Sequence, residues 1–199
     1  MELKTPSAAE LRYAYTRDME TSFPPMELKP LSSIENSIRQ KRYLPWCLYD
    51  GEEIAGECFL WLGNPGFALL DYLCVEQSRR NDGLGSLMLA KMRERLPESV
   101  ILCEAEAAEY ADDPVIAKRR LGFYTRNHAY QAEFQADVFG VRYAMLYWAA
   151  QTMPETLLMR EYENMYFNML PPGRFRRYFR LIPNPQEETA AGEKTAWGG

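Results

Sequence analysis

Histidine is nearly absent from this sequence: the 199 residues contain one, His128. The four cysteines, Cys47, Cys58, Cys74 and Cys103, form no C-x-x-C pair. Together these shortages exclude a Cys/His zinc site, and no metal is expected. Each thiol lies in an apolar run (LPWCLY, ECFLW, YLCVE, VILCE), which predicts four buried, reduced cysteines on strands. No stretch approaches the roughly 18–20 consecutive apolar residues of a membrane span, so no membrane partner is expected. The N-terminal MELKTPSAAELRYAYTRD is charged throughout and lacks the apolar region of a secretory leader, which points to the cytoplasm. Basic residues (23) are outnumbered by acidic ones (28), giving a net charge of −5. A general basic footprint is missing, so no nucleic-acid partner is expected. There is no internal repeat, and no Pro/Gly-rich linker interrupts the first 170 residues.

Apolar residues make up 47% of the chain and aromatics 13%, enough for the core of one domain. The pattern predicts an α/β domain over 1–150, a helical extension over 151–183 that packs on it, and a disordered tail over 184–199. Ser7, with Glu10 three residues on, predicts a capped helix from Ala8 to Met19. Pro24 and Pro25 break the chain, and a second helix follows Pro30 with Ser32 or Ser33 as its cap. Three strands come next: Tyr43–Tyr49, Ile54–Leu62 and Phe67–Val75, joined by Asp50-Gly51 and Asn64-Pro65-Gly66 turns. An amphipathic helix spans Ser86–Leu96, with Leu84, Leu87, Met88, Met92 and Leu96 on one stripe. Val100–Glu104 is a short strand. Val115–Leu121 is a helix opened by Asp113-Pro114 and stopped by Gly122. Tyr130–Val138 and Val141–Trp148 form a hairpin turning at Phe139-Gly140. Pro154 opens a last helix, with Leu158, Tyr162, Met165 and Met169 on one face. The basic, aromatic RFRRYFR at 174–180 reads as a short segment that packs its rings inward and leaves its arginines in water.

The chemistry concentrates at the turn after Val75. Arg79, Arg80, Asn81 and Asp82 precede Gly83-Leu84-Gly85-Ser86, and then a helix begins. Two glycines let the backbone approach a ligand closely. The first N–H groups of a helix lack partners within it and favour an anion. Arginines add charge-assisted contacts. This is an anion cradle, and a pyrophosphate fits its description. It is not a G-x-x-x-x-G-K-[ST] loop, because no Lys follows Gly85. It is not G-x-G-x-x-G either, because Met88 takes the third glycine's place.

Arg80-Asn81-Asp82-Gly83-Leu84-Gly85 resembles the R/Q-x-x-G-x-G/A motif of the GNAT family of N-acetyltransferases. That family holds the pyrophosphate of acetyl-CoA there, between its fourth strand and third helix. The order of elements is similar to the family's from Met1 to Trp148. The resemblance implies a GNAT fold: a mixed, mostly antiparallel central sheet of six to seven strands flanked by helices. It implies acetyl-CoA as co-substrate, bound by residues 79–86. The main chain of Leu73, Cys74 and Val75 would orient the pantetheine arm. Leu121-Gly122-Phe123-Tyr124 is similar to a second family segment, in which the Tyr is the general acid, and this implies that role for Tyr124. It also implies an acidic base on the strand before, with Glu104 ahead of Glu106.

The implied reaction is direct transfer of acetyl to a primary amine of a small molecule or peptide, within a ternary complex. The alternative is a non-catalytic module of the same fold that binds acetyl-CoA. A homodimer through exposed Met and Tyr also stays open. His128 reads as a turn residue and Cys74 as a structural thiol.

Overall fold

The computed structural model describes residues 1–183. The tail over 184–199, expected to be disordered, lies outside the described residues. The chain divides into two compact units, Met1–Ile101 and Leu102–Gly199.

The first unit opens with β1 (Glu2–Lys4), whose central Leu3 is buried between two exposed charged residues. Ser7 then caps α1 (Ala8–Ala14) with a reciprocal box: Glu10 N–H donates to the Ser7 hydroxyl at 3.3 Å, and Ser7 N–H donates to the Glu10 carboxylate at 2.7 Å. The helical stretch runs past the predicted Met19 to Ser22, and its second half does not stay α-helical. Tyr15–Met19 winds as a π turn before the short α2 (Glu20–Ser22). The wider turn buries Tyr15, Asp18 and Met19 together, and Arg17 reaches the Ile54 carbonyl at 2.7 Å. α3 (Leu31–Arg39) begins at Pro30 and not at a serine cap, because the Pro30 carbonyl accepts from Ser33 and Ile34.

β2 (Tyr43–Asp50), β3 (Glu53–Leu62) and β4 (Phe67–Val75) form an antiparallel meander, and the strand order is β1-β2-β3-β4. Cys47 pairs with Glu57, and Glu57 pairs with Cys74, so these three lie in line across the sheet. A bulge in β4 leaves Asp71 as the extra residue, since Phe59 faces Tyr72 while Leu60 faces Leu70. Its buried carboxylate accepts from Lys29 Nζ at 2.6 Å and the Tyr43 hydroxyl at 2.5 Å. α4 (Leu84–Arg95) packs closely on this sheet through Gly56. A Cβ there would lie 2.7 Å from the Cys74 carbonyl oxygen and 2.9 Å from Met88 Cε. The stripe of α4 that is buried is Leu84, Met88, Leu89 and Met92; Leu87 is only half-buried.

β5 (Val100–Glu106) contributes its last five residues to the second unit. α5 (Pro114–Arg126) starts where Asp113 Oδ1 accepts from Val115 and Ile116 N–H at 3.0 and 3.1 Å. The helix does not stop at Gly122. It continues to Arg126 and closes where Asn127 N–H and side chain bond the Phe123 carbonyl. β6 (Tyr130–Val138) and β7 (Val141–Trp148) form the expected hairpin. Phe139 and Gly140 both have positive φ, +50° and +88°, the backbone that a two-residue hairpin turn needs.

α6 (Glu155–Met169) and α7 (Pro172–Tyr178) precede β8 (Phe179–Ile182), which pairs antiparallel with β6. The order is β5-β7-β6-β8. Of the aromatics of 174–180, only Phe179 is buried; Phe175 stacks on it and is half-buried, Tyr178 stacks on the exposed Phe139, and the four arginines are exposed. The described residues therefore hold eight strands in an α/β, mostly antiparallel fold. The count exceeds six to seven because β1 and β8 are short, charged edge pieces with weak alternation.

All four cysteines are buried and none forms a disulfide among the described residues, with one on each strand from β2 to β5. Among the described residues, no helix is long and apolar enough to cross a membrane.

Candidate functional site

In the first unit the turn between β4 and α4 has the backbone of an anion cradle. A 3-10 turn over Gln77–Arg79 leads into two left-handed residues, Asn81 at φ +74° and Gly83 at φ +79°. Gly83 serves as the N-cap of α4, and its carbonyl accepts the first helical bond, from Leu87 at 3.1 Å. The N–H groups of Leu84, Gly85 and Ser86 thus have no acceptor within the helix. A Cβ on Gly83 would meet nothing within 4 Å, so glycine is required by the backbone conformation and not by crowding. The twelve-residue helix adds the positive end of its dipole, and Arg93 and Arg95 complement the other end.

The two arginines before the cradle serve different contacts. The Arg79 guanidinium pairs with Asp50 at 2.9 Å. Arg80 donates to the Val75 carbonyl at 3.4 Å and to the Ser22 hydroxyl at 3.0 Å, so it braces the turn against the end of β4 and α2. Asp82 stands between the two left-handed residues and is exposed.

Leu73, Cys74 and Val75 end β4 directly before this loop. The Cys74 side chain points into a buried acid cluster. Its thiol donates to Glu57 Oε2 at 2.7 Å, and Glu57 has no solvent exposure. Burial pushes the Glu57 carboxyl well above its ordinary range, and nearby Asp18 adds to that shift. Asp18 itself pairs with Arg17 at 2.5 Å. The shift at Glu57 favours the neutral acid, since burial penalises the charged form. Burial, and then Glu57, push the Cys74 thiol upward as well, so it remains an unreactive thiol.

The second unit holds Tyr124 and Glu104. Tyr124 lies on α5 and is 8% exposed. Its ring meets Trp148 edge-on at 5.8 Å and Phe123 at 5.3 Å. Trp148 is itself tied to the chain, donating its indole N–H to the Asn127 carbonyl at 2.8 Å. The phenol is thus on a rigid, packed frame. Glu104, near the end of β5, is half-buried, and its Oε1 accepts from two hydroxyls: Tyr162 at 2.5 Å and Tyr166 at 2.7 Å. Glu106, two residues on, is also half-buried. His128 is an exposed turn residue at φ +65°, as expected.

The sequence does not single out Tyr166, and it places Tyr162 only on one face of the last helix. The available signal was the pair of phenols four residues apart on the inward face of α6.

The fold is α/β, and a left-handed glycine opens the helix that follows an antiparallel meander, the backbone of an anion-binding turn. The profile of the Acetyltransferase (GNAT) family matches residues 9–128, and the chain belongs to this family. Bacillus subtilis (strain 168) YjbC, provisionally named an acetyltransferase, is 25% identical over 154 residues, 74% of this chain and 76% of that protein. A GNAT-family chain from Bacteroides thetaiotaomicron has a TM-score of 0.62 at 18% identity, covering 82% of this chain and 95% of its own. An aminoglycoside 6'-N-acetyltransferase complexed with coenzyme A has a TM-score of 0.60 at 12% identity, covering 77% and 99%. The ribosomal-protein-S18-alanine N-acetyltransferase of Escherichia coli has a TM-score of 0.56 at 15% identity, covering 77% and 96%. These structural likenesses show the shared fold.

Proposed function

We propose that this chain transfers an acetyl group from acetyl-CoA to a primary amine by direct attack in a ternary complex. The observation that carries the reading is the left-handed Gly83 opening α4 in a chain of the GNAT family. N–H groups of Gly83, Gly85 and Ser86 hold the pyrophosphate, and Arg80 adds charge from the same loop, with Arg79, Asn81, Asp82 and Leu84 shaping it. Main-chain groups of Leu73 to Val75 orient the pantetheine arm and polarise the thioester carbonyl. Residues 1–150 carry this machinery, and 151–183 form an extension.

The proton and electron accounting follows the residue roles. Glu104 accepts a proton from the acceptor ammonium, and the amine nitrogen attacks the acetyl carbonyl carbon. The new C–N bond forms as the C–S bond breaks. Tyr124 donates its phenolic proton to the departing thiolate, and the second proton that the nitrogen sheds as the amide forms restores the phenol, so the reaction releases one net proton, through Glu104. The named activities of the structural relatives cover a small-molecule amine and a protein amine. The acceptor here is taken to be a primary amine of one of these kinds.

The test is thiol release from acetyl-CoA against a panel of polyamines, aminoglycosides, amino acids and peptides. The expected result is amine-dependent release with an acetylated product seen by mass spectrometry. Tyr124→Phe should lower kcat by about a hundredfold and leave the KM for acetyl-CoA unchanged. Binding of acetyl-CoA without release against any amine would instead identify a binding module.

A further inference from the structure

Glu104 is held by a helix that lies outside the family-matched stretch. That stretch ends at residue 128, whereas α6 spans Glu155–Met169. Two hydroxyls of α6, one turn apart, converge on a single oxygen of Glu104. The donors are fixed in turn. Tyr162 is fully buried and Tyr166 is 4% exposed. Their rings meet edge-on at 5.2 Å, Tyr162 packs against Phe134 and Phe179, and Tyr166 stacks on Phe179 at 4.8 Å. Burial, and then the Glu104 charge, push the Tyr162 phenol well above its ordinary range, so it stays a donor.

A neutral acceptor would satisfy two buried phenols at less cost. An amide or a main-chain carbonyl carries no charge to desolvate, whereas a carboxylate does. The chain nevertheless places a carboxylate there, on the strand where its family membership suggests an acid. With both bonds on Oε1, the plane of the carboxyl group and the direction of Oε2 are set.

We propose that Tyr162 and Tyr166 are positioning residues for Glu104, so that the C-terminal extension is part of the catalytic apparatus. This rests on the reading of Glu104 as the proton acceptor for the amine. The tyrosines act through Glu104, fixing the orientation in which it meets the amine.

The test is a double-mutant cycle on the full chain, scored by kcat, by the KM for acetyl-CoA and by the thermal midpoint. The variants are Glu104→Gln, Tyr166→Phe and Tyr162→Phe, singly and combined with Glu104→Gln. Glu104→Gln should lower kcat by about a hundredfold. Each Tyr→Phe should lower kcat by about tenfold in the wild-type background, with the KM for acetyl-CoA unchanged, and by nothing further in the Glu104→Gln background. Tyr162 is in the core, so Tyr166→Phe carries the test alone if Tyr162→Phe does not fold. A Tyr→Phe loss that is equal in both backgrounds, or absent, overturns the positioning role while leaving Glu104 as the acceptor. Full turnover in Glu104→Gln overturns the acceptor role and the positioning role with it.

Discussion

Glu57 shows how one residue couples a buried charge site to solution conditions. It has no exposure, it accepts from Cys74, and it is held as the neutral acid by burial and by Asp18. In the unfolded chain the same carboxyl has an ordinary value of 4.5. Its folded value is raised, so its contribution to stability is full below about pH 4.5 and is lost as pH rises toward the folded value. Glu57→Gln keeps an acceptor for Cys74 and removes the titration. Thermal midpoints should therefore fall between pH 5 and pH 8 in the wild type and fall distinctly less in Glu57→Gln. Parallel curves would show that Glu57 is ionised in the fold. This acid was not legible in the sequence, because ECFLW marks a strand without marking which face meets Asp18. Cys74 as a structural thiol was legible, since its apolar run predicted burial.

Among the elements, those fixed by local chemistry were read correctly. The Ser7–Glu10 box, the Asp113-Pro114 start and the Phe139-Gly140 turn each declare themselves within four residues, because the groups that satisfy the backbone are neighbours. Asp113→Ala should cost roughly 1 kcal/mol of stability by removing the acceptor for two N–H groups at the start of α5, measured by denaturant unfolding. An unchanged midpoint would contradict the capping role.

The elements misread were those that tertiary packing decides. Gly122 looked like a stop, yet the helix runs on to Arg126 and ends at Asn127, followed by the left-handed His128. The π turn at Tyr15–Met19 is invisible to a 3.6-residue pattern, since it serves to bury Asp18 beside Glu57. β8 was hidden in a basic, aromatic run; it is recognisable only once Asp137 of β6 is seen to pair with Arg180.

At the scale of the whole molecule, the cradle and the Glu104 clamp differ in how they could be found. The cradle's backbone is encoded within six consecutive residues, where Gly83 takes the left-handed conformation that a glycine favours, so its turn was legible in the sequence. The clamp joins β5 to a helix 58 residues later, a pairing that no local pattern encodes. The central claim is that the cradle opening α4 holds acetyl-CoA. It is tested most directly by thermal shift of the wild type and Gly83→Glu with acetyl-CoA, CoA and ATP, each variant compared with its own ligand-free midpoint. At about 100 times the dissociation constant, a ligand stabilises a fold by roughly 2.7 kcal/mol, or about 5–10 °C for a chain of this length. The account predicts that shift for acetyl-CoA and CoA in the wild type and its loss in Gly83→Glu. No shift with either CoA species in the wild type would contradict it.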